Sequence, residues 1–472
     1  MSAAKAWGLV LVLSLTWPFF LPGEAFALRD MMVLPGMELT RSSLGFGDAA
    51  ARNVPQDALL GIVPFPVLTV RAVMVLSACG AAWAGWRSSR TAWGRAAAMT
   101  VAVWNPFVVE RLLQGQWSLA AAAWLIPLAA ASTAVGARWL MSLTPTGAIA
   151  GLLAAPSRMA AGVSAALCLP WVVAGAVSGS GAGTASAASA GAFAPRAEAW
   201  VGTLGALAGL GGIWNGAAVP PSRSLGFAVF GVALAAVLAL GWCGVPRRLL
   251  LLAAVGFAVA VLSSCGALTW AVTSLPGGGL LRDGQKWLIL CIPAFVAAAG
   301  ALPARGAAAA LALALLQVPD APAAIHVLRP VEAPAFPEVD HRGRDVFFVD
   351  RPMLQLRADG APVVDPVTKL MNTVEPLELV VDGVVVDQAS PRWVAANALV
   401  DDPADAAALR NRGNLGALRD LGIGVVVYPD GRAVETGAPA RGIGPLALVP
   451  FGVWLAVPVL TFTAKLTKRR RR

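Results

Sequence analysis

LLLLAAVGFAVAVLSSCGALTWAV, residues 249–272, runs without a charged side chain and follows directly on Arg247 and Arg248. A bilayer-spanning helix needs roughly 20 apolar residues, and a helix satisfies its own backbone groups where water is absent. Comparable runs occupy residues 7–26, 60–83, 96–109, 119–135, 159–177, 225–242, 287–302, 306–318 and 446–462. Composition agrees: the chain is 57% hydrophobic and 13% charged, with a mean hydropathy of +0.70. Soluble domains carry about 25% charged residues. The fold class expected is a polytopic α-helical membrane protein of about 10 spans.

The basic residues orient it. Lys and Arg mark the cytoplasmic side of a membrane protein. Lys5, the group Arg87, Arg90 and Arg95, the pair Arg247 and Arg248, and the terminal KLTKRRRR fall on one side of the expected spans. Both termini are then inside, and the net charge of +10 belongs to membrane insertion rather than to nucleic acid. The outside segments become 28–59, 110–118, 178–224, 273–286 and 319–445. Eight carboxylates (Glu24, Asp30, Glu38, Asp48, Asp57, Glu110, Glu198 and Asp283) lie in or beside these segments, and the other eighteen lie between Asp320 and Glu435. Acidic residues contribute little to topology, so this one-sided gathering points to chemistry at the outer face. Ala25-Phe26-Ala27 has the form of a signal-peptidase site; cleavage there would leave the other spans in place.

Three blocks follow: a multi-span domain over 1–318, an extracytoplasmic α/β domain over 319–445, and a last span with a basic tail over 446–472. Within the second block, VFFVD (346–350), LELVVDGVVVD (377–387) and LGIGVVVYPDG (421–431) have the β-branched content of strands. Residues 402–421 have a helical pattern. Residues 184–192, rich in Gly, Ala and Ser, read as a flexible loop. The five cysteines lie in or at the edge of apolar runs, with no CxxC pair, and His326 and His341 lack metal-ligand spacing. A disulfide framework in the C-terminal domain and zinc chemistry are therefore not expected.

Four outside segments hold polar side chains close to span ends. LRDMMVLPGMELTRSSLGFGDAAARNVPQD (28–57) carries Asp30, Asp48 and Asp57. WNPFVVERLLQGQW (104–117) carries Glu110, Arg111, Gln114 and Gln116. Residues 193–216 carry Arg196, Glu198 and Asn215, and LPGGGLLRDGQKW (275–287) carries Arg282, Asp283, Gln285 and Lys286. Charges at span ends are commonly solvated anchors. Glu110 and Arg111 fit that description poorly, because they follow an apolar run, where ionisable residues are costly and usually functional. Carboxylates supply a general base or hold a metal ion. Arginines clamp phosphate with a planar fork. A base beside a phosphate clamp at a membrane face suits transfer of a group from a lipid phosphate.

A first span running directly into a loop with Asp30, many further spans with short loops, and an outside α/β domain together resemble the GT-C superfamily of integral membrane glycosyltransferases. The phrases WNPFVVERLLQGQW and LLRDGQKW are similar to those of actinobacterial envelope proteins of this type. The resemblance implies a polyprenyl-phosphate sugar as donor, a cell-envelope glycan or glycolipid as acceptor, and an active site on the outer face of the cytoplasmic membrane. It places the catalytic acid at Asp30, with Asp48 and Asp57 in reserve. By analogy it gives Arg282 and Lys286 the donor phosphate, with Glu110, Arg111, Gln114, Arg196 and Asp283 as further substrate-binding candidates. The loop lacks an adjacent acidic pair, which leaves a metal undecided. Two other functions stand beside this one: a non-catalytic scaffold of envelope glycan assembly, and a transporter or flippase. The plainer role for Asp30 is to cap a short helix in its loop.

Overall fold

The computed structural model describes residues 3–49, 51, 53–178, 185–381, 383–400 and 412–470. Among them, six helices are long and apolar enough to cross a membrane: Ala3–Phe20, Pro66–Arg87, Ala92–Leu113, Arg247–Ser264, Gly284–Ala301 and Ala304–Leu328. Arg158–Leu167 and Leu169–Val177, bent by 45° at their junction, make a seventh if counted as one span. The apolar runs expected at 119–135, 225–242 and 446–462 form the shorter helices Trp117–Ala131, Ala228–Ala239 and Pro445–Thr461. The count by length is thus six or seven rather than ten. One reason is local: Ser132 turns fully extended and stops its helix.

The centre of the bundle is Ala92–Leu113, 94% buried, with Trp117–Ala131 beside it, also almost wholly buried. Pro66–Arg87, Gly284–Ala301, Ala304–Leu316 and the N-terminal helix pack around them. Ala92–Leu113 is broken at Asn105-Pro106. Proline has no N–H to donate and disfavours a helical residue before it. Asn105 repairs both sides of the break: its amide donates to the Val101 carbonyl at 3.1 Å and accepts from the Val108 N–H at 3.0 Å. The second half, Pro106–Leu113, restarts cleanly and carries Glu110 and Arg111 to its last turn.

The first helix ends at Phe20, earlier than its apolar run suggests. Residues Phe26–Leu28 form a strand, β1, paired antiparallel with β2, Met31–Val33. Asp30 therefore lies in a hairpin turn, ten residues beyond Phe20, and caps no helix. Ala25, Phe26 and Ala27 are all buried, the last two within this strand.

The helical run after Ala304 continues to Leu328, so the strands begin later than residue 319. In chain order they are β3 (Asp345–Phe348), β4 (Leu354–Leu356), β5 (Pro362–Val364), β6 (Leu379–Val381), β7 (Val384–Asp387), β8 (Ile423–Val427) and β9 (Ala433–Glu435). β8 is central, parallel to β3 and antiparallel to β9. One face of this sheet packs Phe347, Val426 and Tyr428 on Ala396 and Leu418. The other packs Val346, Phe348, Val425 and Val427 on Val367 and Met371. Burial on both faces is why 423–427 reads as a continuous apolar run. Ala187–Ala192 is a short helix capped by Ser186 rather than a loop; Thr184 lies outside the described residues. Of the helical pattern at 402–421, Arg412–Asp420 is helical and 401–411 lies outside the described residues.

The strand-bearing segment is sewn to the loop after the first helix. Ala25 bridges Val331, and the Arg29 N–H and carbonyl bond the Pro362 carbonyl and Val364 N–H at 2.7 and 2.9 Å. The Lys369 ammonium meets the Asp57 carboxylate at 2.6 Å with both side chains buried. Removing one partner of a buried ion pair costs about 3–5 kcal/mol. Asp57→Ala is therefore expected to lower the unfolding midpoint of the purified protein sharply. Asp57→Leu combined with Lys369→Met should recover most of the loss. A single variant as stable as the parent would show that the pair holds nothing.

Candidate functional site

The ends of several helices meet the β1–β2 hairpin at one end of the bundle, and a connected polar network sits there. It begins with a tight turn. Pro106–Leu113 ends in Gln114, Gly115 reverses the chain at φ +80°, and Gln116 opens Trp117–Ala131. A β-carbon on Gly115 would collide with the Leu28 carbonyl oxygen and lie 2.6 Å from the Met31 nitrogen. Only glycine lets the hairpin approach this closely. The Asp30 N–H donates to the Gln114 carbonyl at 3.2 Å, and the Arg29 guanidinium donates to the Leu113 and Ala217 carbonyls.

Asp30 itself is exposed. Its Oδ2 accepts from Gln116 Nε2 at 3.0 Å and from Gln114 Nε2 at 3.4 Å. Each amide is oriented from behind. Asn215 Nδ2 donates to Gln114 Oε1 at 2.7 Å, and Arg111 Nη1 donates to Gln116 Oε1 at 2.6 Å. Arg111 is fully buried and grips Asp283 with two bonds, 2.6 and 3.0 Å, while also donating to Gln285 Oε1. A forked, bidentate pair of this kind fixes orientation as well as charge. Gln285 Nε2 then reaches Glu110 Oε2 at 3.3 Å. The Gly212 and Ile213 N–H groups donate to the same carboxyl at 3.2 and 3.0 Å. A continuous path of hydrogen bonds runs from the exposed Asp30 to the buried Glu110.

Beside Glu110 lies an ion pair between Glu198 and Arg223, with no exposed surface on either side chain. Arg196 contacts Glu198 at 3.4 Å. The sequence reading did not single out Arg223. Its signal was present: it is the only charged residue between Glu198 and Arg247, and a lone charge in apolar sequence calls for a partner.

Lys286 stays beside Asp283, bonded to it through its backbone N–H; the remaining candidates lie elsewhere. Arg282 pairs with Asp387 at 2.7 Å and stacks its guanidinium 4.0 Å over the Phe193 ring. It thus engages the β6–β7 hairpin, while its neighbour Asp283 engages Arg111. Lys286 is half-buried. Asp57 is taken up by Lys369, as described above. Asp48 lies 3.4 Å from Arg392, in a second polar cluster at the seam with the C-terminal sheet. There Asp345, fully buried, receives Arg41, Arg392 and Arg441. Burial alone would raise its pKa, but the three guanidiniums prevail and hold it below the usual carboxylate range.

Comparison of the chain with family models, with curated proteins and with solved structures finds no match. The functional reading therefore rests on the geometry. Chemically, the network offers an exposed carboxylate held by two amides. Among the described residues no group of three His, Cys, Asp or Glu side chains is placed to share a metal ion.

Proposed function

We propose that the protein transfers a sugar from a polyprenyl-phosphate donor to an envelope glycan or glycolipid at the outer face of the cytoplasmic membrane, with a GT-C-like fold. The observation that carries this reading is Asp30: an exposed carboxylate held by Gln114 and Gln116 where the helices end. A general base must be accessible and fixed in direction. Asp30 would take the proton of the acceptor hydroxyl. Lys286, close in sequence to Asp283 and Gln285, is the candidate for the departing phosphate. Arg111 and Arg282 act by holding the site together, since each is committed to a carboxylate. That same commitment favours a second reading, a scaffold of glycan assembly without chemistry of its own.

Deleting the gene separates the two. A transferase predicts accumulation of a lipid-linked sugar donor together with a truncated glycan, both reversed by the parent gene and not by Asp30→Asn. Full complementation by Asp30→Asn would establish the scaffold. In the proposed topology the three shorter apolar helices also cross the bilayer, which together with the bent pair brings the spans to about ten. The C-terminal sheet is then outside and the basic tail inside. A phosphatase reporter inserted after Ala440 should be active, and a cytoplasm-dependent fluorescent reporter there should be dark; the opposite pattern would invert the topology.

A further inference from the structure

The cluster around Asp345 encloses a cavity of about 210 Å³ lined by Arg41, Asp48, Asn372, Thr373, Arg392 and Arg441, among others. The cavity lies between the loop after the first helix and the C-terminal sheet, away from Asp30. Three guanidiniums meet here against the carboxylates of Asp345 and Asp48, an excess of one positive charge. Glu375 is bonded to Ser42 at 2.8 Å, and burial raises its pKa above the usual carboxylate value.

Donor capacity exceeds what the protein uses. A guanidinium carries five N–H donors. Arg441 spends one nitrogen on Asp345 at 2.5 Å. Arg41 spends one on Asp345, and its Nε is buried without a hydrogen-bond partner. Thr373, which lines the same cavity, is 8% exposed, and its Oγ1 is likewise buried without a partner. A buried donor left unmade is costly, and two of them, Arg41 Nε and Thr373 Oγ1, border this one basic cavity. Asn372 is held in position by the Arg41 N–H, 2.8 Å from its Oδ1.

We propose that this cavity binds a phosphate group. Its oxygens would accept from Arg41, Arg441 and the Thr373 hydroxyl, while Asp345 holds the three arginines in place. A phosphate suits the site because it presents several acceptors to guanidinium forks at once. The location bears on its source. The turn Ser42–Leu44 packs on the apolar helices Leu169–Ser178 and Pro445–Arg470, and Arg441 lies four residues before the latter. Ser42 lines the cavity, so the cavity lies beside two apolar helices, and a lipid headgroup phosphate and free phosphate share the same chemistry. The proposal does not depend on glycosyl transfer.

The full chain, purified in a neutral detergent, should be titrated with inorganic phosphate at constant ionic strength against chloride, following its unfolding midpoint. A parallel titration uses nanodiscs of phosphatidylcholine with and without phosphatidic acid. Stabilisation by phosphate alone identifies free phosphate as the source, and stabilisation by phosphatidic acid, with or without phosphate, identifies a lipid headgroup; either supports the site. Arg441→Gln, whose side chain is 43% exposed, should fold and bind at least tenfold more weakly. Thr373→Val should leave the ligand-free midpoint unchanged or raised, because it removes an unpartnered buried hydroxyl, and it should also weaken binding. Equal stabilisation by chloride, or undiminished binding in both variants, would overturn the proposal.

Discussion

Asp30→Asn is expected to insert and fold like the parent and to lose transfer by about 10²-fold or more, the scale of a general base. The hairpin gives the substitution little reason to disturb structure. Position 30 is an exposed turn residue, and Asn is well tolerated in turns. Its Oδ1 remains an acceptor for the Gln116 and Gln114 amides, so the bonds at 3.0 and 3.4 Å have a counterpart. The Asp30 N–H to the Gln114 carbonyl is backbone and unaffected. What disappears is the ability to take a proton. The measurement is sugar transfer from a lipid-linked donor in membranes, normalised to folded protein by size-exclusion of a tagged chain. Loss should appear in kcat, with donor KM little changed, because the base acts on the acceptor. Near-parental turnover would remove Asp30 from the chemistry and leave the scaffold reading.

Much of this arrangement is legible in the amino-acid sequence. The apolar runs became helices because twenty or so residues without charge have few other ways to satisfy their backbone in lipid. The strands Asp345–Phe348, Leu379–Val381, Val384–Asp387 and Ile423–Val427 announced themselves by Val and Phe content. Asp30, Glu110, Arg111, Gln114 and Asp283 were each conspicuous as polar residues at apolar margins, and the structure joins all five in one network. Lengths were less legible: an apolar run shows where a helix can lie and not where a serine or a strand stops it, as at Ser132 and Phe26. Pairings were illegible. Arg41 and Asp345 are 304 residues apart, and Lys369 and Asp57 are 312 apart. Contacts at such separations leave no periodicity in the chain. Asp48 and Asp57 therefore stood as reserves to Asp30, and Arg282 beside Lys286, although their charges join the outer segments to the C-terminal block.

Arg111→Met is expected to damage the fold severely. The guanidinium holds Asp283 twice, Gln285 and Gln116, joining the Pro106–Leu113 helix to the start of Gly284–Ala301 and, through Gln116, to Asp30. Without it the buried Asp283 carboxylate keeps only the charge and backbone N–H of Lys286, and removing one partner of a buried pair costs about 3–5 kcal/mol. Domain stabilities are about 5–15 kcal/mol, so the variant should accumulate poorly and unfold early in a thermal-shift assay. Arg111→Lys keeps the charge and loses the fork; it should fall between the two. Arg111→Met with Asp283→Leu distinguishes packing from positioning. Replacing both partners by apolar groups of similar size can be nearly neutral for stability, so the double variant should recover folding. It should not recover transfer, since Gln116 loses the 2.6 Å bond that orients it toward Asp30. The residual activity should show a lowered kcat at near-parental donor KM. A double variant that restores both folding and kcat would make Arg111 purely a structural brace, and a stable, active Arg111→Met would dismiss the network altogether.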